Sequence, residues 1–362
     1  MKKRNLLLLL TITACLLIAC KKKGPAEEEN QITPTPTVTV TPTPTEEPEN
    51  HDNEVKSKLT GLWIPKEYGD RRPYALMFNN LQLASPQSGI SETSVLYEAI
   101  VEGGITRLMG IFEEQNLNEE RIGSVRSARH YFVNFADAFD AIYLHFGETT
   151  YAKKKMKKLG INDLDGLTGI GDTVYYRDKS IKAPHNAFTS KEKILKGVEI
   201  KGYEKNYPDG YKGNFQFFEK DTDLSGGMNA EKVTIPFSNY NSPYFTYDSK
   251  EKVYNRFQFG KEHTDYNTGK QLTFKNILVQ FVKEWDIDKN DYQTMDIENS
   301  SGKGFYITNG KAVEISWTMN EANRSLEYFD VSGKKLTINP GKTYIAVFPN
   351  DRTSKTGEVV LE

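Results

Sequence analysis

Side chains that could do chemistry crowd one stretch of this 362-residue chain, between Asn79 and Asn186. Glu98 and Glu102 stand four residues apart, a spacing that sets both carboxylates on one face of a helix. Arg107 follows the Gly103-Gly104 pair. Ser124, Arg126, Ser127 and Arg129 share one short run that reads as a helix start. Asn79 and His145 each close an apolar run, Arg177 precedes an aspartate, and His185-Asn186 follows a proline. Helix N-terminal amides, a serine hydroxyl and a guanidinium fork together suit a carboxylate or a phosphate. The competing reading is structural: Arg126 and Arg129 pair with Glu98 and Glu102 and hold helices together. These twelve residues are the candidate ligand-binding set.

Enzymatic readings find less support. Glu98 and Glu102 could serve as acid and base on a glycoside, with His145 assisting. Neighbours on one helix face, however, are not arranged across a scissile bond. His145 and His185 could act as a base or hold a metal. The chain has 5 histidines, and none falls in a His-x-x-x-His or His-Glu-x-x-His spacing. No serine sits in a Gly-x-Ser-x-Gly elbow. Gly302-Lys303-Gly304 lacks the spacing of a phosphate loop and reads as a β-turn. No catalytic residue, metal site or cofactor is therefore assigned. Tyr240, Tyr244, Phe245, Tyr254, Phe257, Phe259, Trp285, Trp317 and Tyr344 could form a sugar-stacking surface, or simply a core.

The N-terminus speaks to location. Lys2, Lys3 and Arg4 precede an apolar run from Leu6 to Ala19, the pattern of a signal peptide. The run is shorter than the roughly 20 apolar residues of a membrane-spanning helix. It ends Leu17-Ile18-Ala19-Cys20, a lipobox in which Cys20 receives the lipid. Cutting instead before Cys15 would leave Leu16–Ala19 apolar and without use at the new N-terminus. Both of the 2 cysteines lie in this leader, so the mature chain forms no internal disulfide. Removing residues 1–19 takes the formal net charge from -2 to -5. A weakly acidic body argues against nucleic acid as a partner. Lys21-Lys22-Lys23 beside the lipid would add attraction to anionic headgroups. The expected partners are the membrane, through the lipid, and a cell-wall polymer or envelope protein. The expected location is the outer face of the bacterial cytoplasmic membrane. The oligomeric state is left open.

From residue 20 to 60 Thr, Pro and Glu dominate and Phe, Trp and Tyr are absent. Such a segment cannot bury enough apolar surface to offset chain entropy. Proline stiffens it toward an extended tether, on the order of 100 Å long. Residues 61–205 then alternate strand and helix signals. Tyr74–Phe78, Thr106–Phe112 and Ala141–Phe146 read as strands. A helix capped by Ser91 would carry Val95, Leu96, Ala99 and Ile100 and end at Gly103-Gly104. A second would start at Ser124 or Ser127 and carry Tyr131, Phe132, Phe135 and Phe139. A basic third runs from Tyr151 to Leu159 and stops at Gly160. Residues 206–362 instead show short apolar runs at Val233, Ile277–Val282, Val313–Trp317 and Tyr344–Phe348. Asn309-Gly310, Ser332-Gly333 and Pro340-Gly341 turns separate them. The expected class is α+β: a layered α/β N-terminal domain with a mixed sheet and helices, followed by a mainly antiparallel β domain.

Several runs together resemble the YerB-like bacterial lipoproteins, a family of unassigned molecular function. They are Arg72–Asn80, Pro86-Gln87-Ser88-Gly89, Tyr97-Glu98, Val101–Arg107, Val125-Arg126-Ser127-Ala128-Arg129, Leu164-Asp165-Gly166, Arg177-Asp178 and Ala183-Pro184-His185-Asn186. Gly310–Trp317 and Pro340-Gly341-Lys342-Thr343 extend the likeness into the second half. The chain departs from the family pattern at Ser94, where an aspartate is usual, and at Ser124, where a proline is usual. Phe146-Gly147-Glu148 replaces a run of small residues after His145. The resemblance implies a two-part α/β plus β architecture and an envelope location. It implies no reaction.

Overall fold

The computed structural model describes residues 50–352 and 357–362. Cys20, the leader and nearly all of the tether lie outside the described residues. The fold is α+β, with few helices and sheets both mixed and antiparallel.

The strands that matter are β1 (Tyr74–Asn79), β2 (Val95–Ile100), β3 (Thr106–Phe112), β4 (Ile142–His145) and β5 (Asp163–Asp165). Among them lie helices α1 (His130–Ala138) and α2 (Thr150–Leu159), and α3 (Lys191–Lys201) follows. The second half adds β6 (Lys232–Thr234), β7 (Tyr244–Asp248), β8 (Val253–Gln258), β9 (Asn276–Val282), β10 (Ser300–Thr308), β11 (Lys311–Asn320) and β12 (Thr343–Pro349). One 11-stranded sheet takes strands from both halves, in the order Met228–Asn229, β11, β10, β9, β12, β2, β3, β1, β4, β5, with Ser325–Asp330 also paired to β11. β12 pairs parallel with both β9 and β2, and β1 pairs parallel with β4, as β4 does with β5. β3 runs antiparallel between β2 and β1.

Both faces of this sheet are covered. Ala75, Met77, Tyr97, Ala99 and Met109 meet Tyr131, Phe132, Phe135 and Phe139 of the α1 segment and Met156 of α2. Tyr97 stacks on Phe135 at 4.7 Å. On the other face Leu76, Phe78, Leu96, Leu108 and Leu144 meet Ile194 and Val198 of α3, and Val233, Phe245 and Tyr254 of a six-stranded antiparallel sheet built on β6–β8. Phe245, Tyr254, Trp317 and Tyr344 are thus core residues, whereas Tyr240 and Trp285 are exposed.

Double coverage explains the first correction. Val95–Ile100 is a strand, not a helix, and all six residues are buried. A strand covered on both faces loses its apolar–polar alternation, so periodicity cannot separate it from a helix segment. Gly103 and Gly104 do take positive φ, 70° and 71°, but they turn β2 into β3. The second correction concerns α1. It begins at His130, and the run from Ser124 to Arg129 ahead of it lies outside the helix. The third helix is as expected: Thr149 Oγ1 accepts from Ala152 N at 3.1 Å, and Gly160 closes it in the left-handed region.

Candidate functional site

β1, β4 and β5 run in parallel and end side by side. Asn79, His145 and Asp165 therefore line one carboxyl edge of the sheet. β3 starts at that edge, with Arg107 opposite Asn79 in register. β2 ends there too, and Glu102 lies in the turn that follows. Open sheets bind ligands in crevices outside the carboxyl ends of parallel strands. Alternation decides which residues face α1: Asn79 is two along from Met77, Arg107 two before Met109, and His145 two beyond Tyr143. All three of those reference residues pack in the core on the α1 side.

The run Ser124–Arg129 is laid across this edge as extended chain. Ser124 O accepts from Asn79 N, Arg126 N donates to Met77 O, and Arg126 O accepts from Phe146 N, at 2.9, 2.9 and 3.0 Å. Ala128 N donates to Gly147 O at 2.9 Å. Backbone pairing with β1 and with the end of β4 thus fixes where Arg126, Ser127 and Arg129 stand.

Two guanidiniums, Arg129 and Arg107, act here on the Glu102 carboxylate, and a third, Arg126, stands near them without reaching it. Arg129 clamps Glu102 with two hydrogen bonds, Nε to Oε1 and Nη2 to Oε2, each 2.7 Å. Burial raises the Glu102 carboxyl, but the bonds and charge of Arg129, with Arg107, outweigh it and hold the group below its ordinary value. Arg107 is buried and donates to Ser127 O. Burial first, and Arg129 second, bring its guanidinium down to about 9. Arg126 is half-buried and donates to Pro184 O at 3.2 Å. Burial and Arg129 lower it as well. Beside the arginines, Tyr143 OH and Ser124 Oγ are buried with no hydrogen-bond partner among the described residues. Arg107 and Arg129 both act electrostatically on the Tyr143 phenol, which burial pushes up.

Asn79 Nδ2 lies 2.8 Å from His185 Nδ1. The His185 imidazole is lowered by burial, Arg126 and Lys182. Arg177 is exposed, stacks over the Phe146 ring at 4.5 Å and donates to Asn186 Oδ1 at 2.8 Å. His145 is fully buried, with its Nδ1 2.9 Å from Gly147 O.

Glu98 belongs elsewhere, which corrects the expected pairing. It faces the second sheet, fully buried, and five donors satisfy its two oxygens. Asn80 Nδ2, Thr106 Oγ1 and Asn241 Nδ2 reach Oε1 at 3.2, 2.6 and 2.7 Å. Arg256 Nη2 and Tyr344 OH reach Oε2 at 2.6 and 2.7 Å. Arg256 continues to Gln258 Oε1 and to His263 Nδ1, and His263 Nε2 meets Gln87 Oε1 at 2.7 Å. Burial, Arg256 and Lys261 drive the His263 imidazole well below its ordinary value. Glu98 and Glu102 share no helix and no cleft, and Arg126 pairs with neither. The sequence reading missed Arg256, Gln258, His263, Tyr143 and Asp165. Inward-facing polar positions on β8, whose burial alternates, were the available signal.

The fold and its carboxyl-edge site define a family before they define a reaction. The chain belongs to the YerB-like family described as "Protein of unknown function (DUF3048)", matching its N-terminal domain over residues 59–204 and its C-terminal domain over residues 233–345. Among relatives, "Putative lipoprotein YerB" of Bacillus subtilis (strain 168) is 34% identical over 300 residues, covering 82% of this chain and 87% of the relative. The crystal structure of the YerB protein from Bacillus subtilis matches with a TM-score of 0.72 at 32% identity, over 82% of this chain and 97% of that one.

Proposed function

We propose that this chain is a lipid-anchored extracytoplasmic binding protein whose arginine-lined sheet edge holds an anionic group of an envelope component. The anchor reading rests on Leu17-Ile18-Ala19-Cys20 and on the lipoprotein name carried by the Bacillus subtilis relative. The two halves divide near residue 205, with the first supplying the binding edge and the second supporting it. One observation carries the ligand reading: Arg107, Arg126 and Arg129 lie close together with Glu102 as the carboxylate between Arg107 and Arg129, and the buried Tyr143 hydroxyl near them has no hydrogen-bond partner among the described residues. Such a site is under-neutralised, and a phosphate or carboxylate would supply both charge and acceptors. Wall polymers offer those groups among many hydroxyls. An envelope protein would have to present an acidic side chain at the same place.

The alternative is a wall-active hydrolase using Glu98, Glu102 and His145. The five donors on Glu98 and the clamp on Glu102 leave neither carboxylate placed to trade protons with a substrate.

Purified protein incubated with wall fragments tests the reading. Retention without product release is expected, and Arg126→Ala should weaken it by about tenfold or more, the worth of one charge-assisted hydrogen bond. Equal retention by a folded Arg126→Ala variant overturns the anion site. Product release that disappears in Glu102→Gln supports the hydrolase instead.

A further inference from the structure

Next to the arginines, at the ends of β4 and β5, one imidazole stands among three carboxylates. Tyr143 pairs with Asp163 and His145 with Asp165 in the parallel register. Strand alternation therefore turns Asp163, Asp165 and His145 toward the same face. Glu148 follows directly after Gly147, three residues beyond His145.

His145 is completely buried. A carbonyl oxygen can only accept, so the 2.9 Å contact with Gly147 O puts the ring proton on Nδ1. Nε2 then carries a lone pair. It has no hydrogen-bond partner among the described residues, yet Asp163 Oδ2 faces it at 3.4 Å. A lone pair opposed to a carboxylate oxygen is unfavourable without a positive group between them. On the other side Asp165 Oδ1 lies 3.6 Å from Nδ1. One ligand atom from each of His145, Glu148 and Asp165 lies within 4.8 Å of the others. The cation nearest Glu148 is the exposed Lys153 ammonium, at 3.7 Å.

The 3.4 Å between His145 Nε2 and Asp163 Oδ2 is the separation of two atoms that face one ion. Two ligand atoms each about 2.0–2.2 Å from a tetrahedral ion stand about 3.4 Å apart. A ligating histidine usually donates its other ring N–H to a carbonyl or carboxylate, as His145 does to Gly147. Asp165 is fixed as well: its Oδ1 accepts from Gly147 N and Leu167 N at 2.8 and 3.0 Å.

We propose that His145, Asp165 and Glu148 form a binding site for one divalent transition-metal ion, with His145 Nε2 as its nitrogen ligand and Asp163 facing that nitrogen. Mixed nitrogen and carboxylate donors suit zinc or manganese, whereas calcium takes oxygen alone. The site is independent of the anion reading, since metal binding is measured without a wall ligand.

The test uses the full chain in detergent, stripped with a chelator and titrated with Zn²⁺ and with Mn²⁺, with bound metal measured after equilibrium dialysis. The expected result is one equivalent bound, and at least tenfold weaker binding in both His145→Gln and Glu148→Gln. Glu148 is partly exposed, so its variant keeps the fold, which an unchanged melting temperature in chelator would verify. No binding of either metal overturns the proposal. So does binding that a folded Glu148→Gln variant retains in full.

Discussion

Arg256 reaches Glu98 across the interface of the two sheets, Nη2 to Oε2 at 2.6 Å, with both side chains fully buried. Neither charge has access to water, so each is tolerable only while the other is present. Arg256→Met should leave Glu98 buried without its counter-charge and cost roughly 3–5 kcal/mol in denaturant unfolding. Replacing both residues with apolar ones of similar volume should cost less than the single change. A single variant that melts like the parent would show that the pair does not hold the sheets together.

Arg126 and Arg129 should separate cleanly. Arg129→Ala strips Glu102 of its clamp and should cost roughly 1–3 kcal/mol. Arg126 contributes one 3.2 Å bond to a backbone carbonyl from a half-buried position. Its alanine variant should unfold within about 0.5 kcal/mol of the parent while losing retention on wall fragments. Urea melts of both variants, run beside the retention assay, measure the contrast.

The stability that His130 contributes should be lost in acid before most carboxylates titrate. Burial lowers the His130 imidazole from 6.5 to about 4. The unfolded chain therefore takes up a proton that the folded one refuses. The stability so contributed is present above about pH 6.5 and is lost as pH falls toward 4. The slope is up to about 1.4 kcal/mol per pH unit for this one group. Asp137, raised to about 6 mainly by burial, works in the opposite sense. Comparing pH-dependent unfolding of His130→Gln with the parent isolates the histidine: the variant's curve should be flatter by about one proton in that window.

Gly304 leaves no room for a side chain. A Cβ there would stand 1.9 Å from Val279 O, a backbone atom of the paired strand β9. Gly304→Ala should push β10 away from β9 and cost about 1–3 kcal/mol or more. Gly103, whose Cβ would meet nothing within 4 Å, offers the control for open space, although its positive φ of 70° adds modest strain.

What could be read from the chain followed its physics. Tyr74–Phe78 and Thr106–Phe112 stood out as apolar runs too short for helices. Tyr151–Leu159 stood out because one face is charged and Gly160 stops it. Val95–Ile100 was misread because helices cover one side of it and a second sheet the other, which erases the period of two. The candidate site was legible as a set of residue types but not as a partition. Glu98 and Glu102 are neighbours in sequence, yet strand alternation and the turn send them to different partners. The partner of Glu98 lies 158 residues away, beyond the reach of any local pattern.

The position of β12 bears on how the chain comes to be made. β2 obtains its second neighbour only from residues 343–349, far downstream of it in the chain. Until then the N-terminal half carries a bare, apolar strand edge of the kind that invites pairing with other chains. Nascent molecules thus need guarding until those residues emerge, and a product terminated ahead of them would be an aggregation hazard rather than a smaller working protein.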